Sequence, residues 1–165
     1  MSDKILAIDF GRRRVGVAVS DALGLLAHAR ETLHYTSRRD LYDRLQILAR
    51  EEGAAQFVIG LPRRMDGSEG DMAELVRAVA HELGERTGLP VKLWDERFTS
   101  VQAERLLTER GISFSREKDR VDRLAAVFIL QSYLDRAKSR PNDASAAVPP
   151  GSSDSEDRLD EHNNT

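Results

Sequence analysis

The chain has no cysteine. Disulfide frameworks, zinc–thiolate sites and thiol nucleophiles are therefore excluded, which fits a reducing compartment. Long apolar runs are missing too. The longest, Leu124 to Leu130, falls far short of the roughly 20 residues that span a bilayer. The start, MSDKILAIDF, lacks the apolar stretch of a secretion signal. These absences predict a cytoplasmic protein with no membrane partner. The four histidines show no metal-ligand spacing, so His28, His34, His81 and His162 are assigned no role. No internal repeat is present. A charge excess is also lacking in most of the chain: residues 1–138 hold 23 Lys+Arg against 22 Asp+Glu. Residues 139–165 hold 2 against 6 and supply the net acidity.

What remains is a 165-residue chain, 40% hydrophobic and 32% charged, long enough for one domain with its own core. The domain is expected over residues 1–138. From 139 to 165, Pro, Ser, Asn, Asp and Glu dominate; so little apolar surface cannot offset ordering entropy, so an acidic disordered tail is expected. Ile5 to Phe10 is apolar except at Asp9, the pattern of a strand buried on both faces. After a turn at Gly11–Arg14, Val15, Val17 and Val19 alternate with Gly16, Ala18 and Ser20. The small face of that second strand would let another element pack closely. A third strand is expected over about 25–35, completing an antiparallel meander. Helical spacing then predicts helices over 38–52, 71–87, 99–110 and 118–137, with strands over 56–61 and 91–96. The order β-β-β-α-β-α-β-α-α predicts an α/β fold with a mixed sheet and helices on its faces.

Asp9 is the residue that most needs explaining, because a carboxylate among apolar neighbours is costly unless a cation or donors compensate it. Two further acids can reach it in such a fold. Asp122 opens the last helix, and either Asp95 or Glu96 ends the fifth strand. Strand alternation sends those two to opposite faces, and spacing alone leaves the choice open. Three carboxylates from separate segments form a hard-oxygen site suited to Mg²⁺ or Mn²⁺. Each also has a plainer reading: Asp9 bonded to a nearby turn, Asp122 favoured by the helix dipole, Glu96 paired with Arg97. Arginines and a lysine cluster at the same strand ends: Arg12, Arg13, Arg14, Arg63, Arg64, Arg97, Arg116, Lys118, Arg120 and Arg123. A basic ring around an acidic centre suits a polyanion delivered to a metal site; the alternative is a solvated charged surface.

Four ordered motifs, IDFGRRRVGVAVSD, VIGLPRRMDGSEG, DERFTS and RVDRLAAVFILQSYL, resemble the YqgF/RuvX family over about residues 4–136. The resemblance implies a ribonuclease H-like fold, a five-stranded sheet in the order 3-2-1-4-5 with helices on both faces. It implies a cytoplasmic endonuclease acting on the 5′ end of pre-16S rRNA, with Holliday junction resolution as the alternative and ribosomal particles as further partners. Carried over by motif, its catalytic and metal-binding residues are Asp9, Glu96 and Asp122. Arg12, Arg13, Arg14, Arg63, Arg64, Arg97, Lys118 and Arg120 would then contact nucleic acid. The approach to the last aspartate, usually lysine-rich, is EKDRVD here, with Asp119 intruding. Two other classes fit less well. The first strands also resemble the phosphate loop of actin-like ATPases, which need a second domain. A non-catalytic RNA- or ribosome-binding factor would not require all three acids. Monomer and homodimer both remain open.

Overall fold

The computed structural model describes residues 3–64, 66–95 and 118–139, with the backbone alone for 118–123 and 139. The expected helix over 99–110 lies outside the described residues. Among the described residues six strands and three helices follow in the order β1 (Lys4–Phe10), β2 (Arg14–Ser20), β3 (Ala27–Ala29), β4 (Leu33–His34), α1 (Arg38–Glu52), β5 (Ala54–Leu61), α2 (Asp71–Thr87), β6 (Val91–Asp95) and α3 (Lys118–Ser139). The sheet order is β3-β2-β1-β5-β6, with β4 also on β2. This matches the expected order with one correction: the third strand is two short pieces rather than one. Ala27–Ala29 pairs with the end of β2, and Leu33–His34 pairs with its start. Arg30, Glu31 and Thr32 bridge them, so the bend follows the twist of β2 instead of running straight beside it.

β1 lies at the centre, antiparallel to β2 and parallel to β5. Both its edges are hydrogen-bonded, so its side chains sort strictly onto two faces. Leu6, Ile8 and Phe10 join Val15, Val17 and Val19 of β2 and Phe57, Ile59 and Leu61 of β5 on one face. α1 and α2 cover that face with Leu41, Leu45, Val76, Val79 and Leu83. On the other face Ala7, Ala18 and Val58 meet Ala126, Ile129, Leu130 and Leu134 of α3. The small residues alternating with the valines of β2 therefore do admit a closely packed element, and that element is α3.

The helices begin and end where their local chemistry requires. Ser37 caps α1 by accepting from the Asp40 N–H at 3.1 Å, and the Asp40 carboxylate accepts in return from the Thr36 N–H at 3.1 Å. Gly53 closes the helix in the left-handed conformation (φ 67°), its N–H bonded to the Ala49 and Arg50 carbonyls. α3 is fastened along its second half. Gln131 accepts from the Ala27 N–H at 3.0 Å, Trp94 Nε1 donates to Ser132 Oγ at 3.1 Å, and Gln56 donates to Tyr133 Oη at 2.9 Å. Among the described residues no helix is long and apolar enough to cross a membrane.

Two outcomes test this packing. Ala18, fully buried under α3, has no room for a larger side chain, so Ala18→Leu is expected to cost about 1–3 kcal/mol in urea denaturation. The Asp40 carboxyl is held below its ordinary value of 3.8, first by the Thr36 N–H and then by Arg44. A depressed carboxyl stabilises above the unfolded pKa and loses that contribution as pH falls through the folded one. The stability difference between the wild type and Asp40→Asn should therefore be full at neutral pH, shrink below about pH 3.8, and vanish in stronger acid.

Candidate active site

Asp9 sits one residue before the end of β1 and, by the pleat, on the α3 face beyond Ala7. It is the one charged residue of β1 on that face. Its cross-strand partner on β2 is Gly16. On the other side, one step past the Ile8–Ile59 pair, β5 presents Gly60. Neither flanking strand brings a side chain to the place beside Asp9. The carboxylate is half-buried and lies at the C-terminal end of the parallel strands, where open α/β sheets bind ligands.

α3 brings the second acid toward this end of the sheet. Its C-terminal half is tied to the β2–β3 connection, where Lys138 donates to the Leu25 carbonyl at 3.1 Å. The helix therefore runs N-terminally toward the Asp9 end. Asp122 lies in the first turns of α3, about 6 Å of helix before Ala126. Asp9 lies two residues, about 6.8 Å of strand, beyond Ala7. Ala7 and Ala126 belong to one core cluster, so the backbones of residues 9 and 122 extend the same layer in the same direction.

The choice between Asp95 and Glu96 narrows from one side. Val91 and Leu93 of β6 join the α1/α2 core, whereas Trp94 joins the α3 core. Asp95 thus turns back toward α2, away from the face of Asp9. There its Oδ2 lies 3.8 Å from Arg63 Nη1. Arg63 Nη2 lies 3.5 Å from Glu69, which receives two hydrogen bonds from Arg77 of α2 at 2.5 and 2.9 Å. Those bonds, and then the charge of Arg63, hold the Glu69 carboxyl below its ordinary range. Asp95 is accordingly part of an ion-pair chain to α2. Glu96 and Arg97 lie outside the described residues.

The basic residues differ in their surroundings. Arg63 is tied to Asp95 and Glu69. Arg64 lies against Gly70, where a Cβ would fall 3.2 Å from its Nη2. Arg12 and Arg13 are exposed in the β1–β2 turn, and Arg14 starts β2. Lys118 and Arg120 lie in the first turn of α3. The β1–β2 turn is held by a residue that sequence patterning passed over. Tyr35 Oη donates to the Gly11 carbonyl at 2.5 Å, its N–H donates to the Arg13 carbonyl at 3.3 Å, and its ring stacks on Phe10. Nothing in its local sequence distinguishes Tyr35 from an ordinary strand-end aromatic; only the fold of β4 onto β2 reveals the contact. Gly11 is required for space, because a Cβ there would stand 2.6 Å from the Arg14 carbonyl oxygen.

The family model for RuvX, described as a Holliday junction resolvase, matches residues 3–136. The chain belongs to the RuvX family. Among its relatives are proteins named "Putative pre-16S rRNA nuclease" from Symbiobacterium thermophilum and Listeria monocytogenes. The first is 43% identical over 84% of this chain and 96% of its own length. The second is 45% identical over 80% of this chain and 97% of its own. Among solved structures, Thermus thermophilus RuvC in complex with a Holliday junction substrate superposes with a TM-score of 0.54 at 15% identity, over 82% of this chain and 96% of that one. A second structure of that RuvC gives 0.52 at 13% identity. At such identities the likeness is one of fold, and this RuvX chain has the ribonuclease H-like architecture.

The turn that follows Asp9 can be tested by two substitutions. Tyr35→Phe removes one hydrogen bond and should cost about 1 kcal/mol. Gly11→Ala forces the turn open and should cost more, on the order of 1–3 kcal/mol. Urea midpoints measured side by side check the ranking.

Proposed function

We propose that this chain is a metal-dependent endonuclease of nucleic-acid phosphodiesters, acting in maturation of the 5′ end of pre-16S rRNA. The observation that carries the reading is the setting of Asp9: a carboxylate within the central strand flanked by glycine positions on both neighbouring strands, with the start of α3 extending the same layer. The names of the relatives, at 43% and 45% identity over most of the chain, supply the substrate. Asp9 and Asp122 are the proposed metal-binding and catalytic acids. Glu96 is proposed as the third, supported by the pleat of β6, which commits Asp95 to the opposite face.

An all-carboxylate donor set matches Mg²⁺ or Mn²⁺, which prefer hard oxygen and retain water, and the side-chain-free positions beside Asp9 suit a hydrated cation. Such a metal, when bound, supplies an activated water and charge stabilisation for phosphodiester hydrolysis. The protein's own contribution is positional. β1, rigid at the sheet centre, fixes Asp9; α3, packed on Ala7 and Ala18, fixes the helix that carries Asp122. Arg12, Arg13, Arg14, Arg64, Lys118 and Arg120 are proposed to hold the polynucleotide backbone around the acids. Arg97 is proposed with them. Arg63 would add to this field only in part, since two carboxylates already share its charge.

A second reading, resolution of Holliday junctions, draws support from the description of the family model. One experiment addresses both. The protein is incubated with a precursor rRNA fragment and with a four-way DNA junction, each with Mg²⁺ or Mn²⁺. Cleavage of the rRNA is expected, with Asp9→Asn and Asp122→Asn each reducing the rate at least 100-fold, the scale typical of losing a positioned charged group. Equal cutting by the variants would refute the carboxylate site. Cleavage of the junction alone would replace the rRNA reading with the second.

A further inference from the structure

Several of the arginines whose side chains are described have a carboxylate partner. Arg30 pairs with Glu52, Arg44 with Asp40, Arg63 and Arg77 with Glu69, and Arg86 with Glu82. Arg12, Arg13, Arg38 and Arg39 differ. All four are exposed, and among the described residues none forms an ion pair. They are also gathered at one place. Arg12 and Arg13 occupy the β1–β2 turn, just beyond Asp9. Arg38 and Arg39 are the first two residues of α1, three and four positions after Tyr35. Tyr35 joins the two groups through its bonds to the Gly11 and Arg13 carbonyls. Its hydroxyl, pushed up by burial, is pulled back by both Arg38 and Arg12, so the two guanidinium charges bear on one oxygen.

This arrangement runs against self-stability. The first turn of a helix carries partial positive charge and favours carboxylates over cations. Asp40, the acid in that turn, is already engaged with Thr36 and Arg44. Arg12 and Arg38 therefore converge on Tyr35, with Arg13 and Arg39 next to them in the chain, at the sheet end that carries Asp9. A polyanion relieves that convergence, and a phosphodiester chain is the polyanion whose repeat can span two adjacent arginine pairs.

We propose that Arg38 and Arg39, together with Arg12 and Arg13, form a nucleic-acid backbone track on the α1 side of the β1–β2 turn. The track holds the part of the substrate strand that has passed over the turn, away from the scissile bond on the α3 face. This deepens the nuclease reading and rests on it. It adds Arg38 and Arg39, which lie on an element that contributes none of the proposed acids.

The test is metal-free binding of a labelled single-stranded RNA by the full chain, across a range of salt concentrations. Each phosphate contact contributes about 0.7 to the slope of log K against log salt for single strands. Arg38→Gln/Arg39→Gln should flatten the slope by about 1.4, and Arg38→Lys/Arg39→Lys should restore most of it. Arg50→Gln, on the same helix about 18 Å away and also exposed, should leave it unchanged. With cleavable RNA and metal, the Arg38→Gln/Arg39→Gln variant should raise KM and leave kcat within twofold. A wild-type slope in that variant, with a flattened slope in Arg12→Gln/Arg13→Gln, would overturn the track and leave the nuclease reading standing. Cleavage by Asp9→Asn at the wild-type rate would instead refute the carboxylate site on which the nuclease reading rests, whatever the slopes. Absence of salt-dependent binding by the wild type would overturn both.

Discussion

β1 is hydrogen-bonded along both edges, and the molecule depends on that constraint. A strand at the centre of a sheet cannot rotate a residue out of its face without breaking ladder bonds on one side. Leu6, Ile8 and Phe10 are committed to the α1/α2 core, and Ile5, Ala7 and Asp9 to the side of α3. The carboxylate is consequently carried by the backbone of a strand that is hydrogen-bonded on both sides. An acid proposed for catalysis benefits from that kind of support, because its position is fixed by the scaffold.

The two faces differ in what they pack, and this difference sets the geometry of the site. Valines and larger residues on one side keep α1 and α2 at ordinary distance. On the other side Ala7, Ala18, Gly16 and Gly60 leave little standing above the sheet, so α3 lies close. A helix packed over small residues has few alternative seats, since shifting it by one residue would drive Ile129 or Leu130 onto the flanking strands. The same small residues thus serve packing in the middle of the sheet and open space at its end.

Much of this was legible in the chain itself. Alternation in residues 5–20 exposed the central strand, the small face of β2 and the isolated Asp9. Caps and glycines placed α1 and α2 at their observed bounds. The third strand was not legible as two pieces, because the break comes from the twist of β2, a property of the neighbour rather than of residues 25–35. Asp95 and Glu96 could not be separated by spacing, since period-two alternation needs an anchor to say which parity faces which side. Trp94 on Ser132 and Arg63 beside Asp95 provide that anchor. Tyr35 was invisible for a similar reason: its partners, Gly11 and Arg13, become neighbours only when β4 folds back onto β2.

The contact between Gln131 and Ala27 joins residues 104 positions apart, and it bears on how the molecule comes into being. The β1–β2–β3 meander is built from local pairings and can form early, whereas the face that carries Asp9 stays uncovered until the chain beyond residue 118 is available to dock. A nascent or truncated polypeptide therefore carries Asp9 and its basic turn before it has the helix on which Asp122 lies. The order of elements along the chain thus makes synthesis of α3 a precondition for closing the face that carries Asp9.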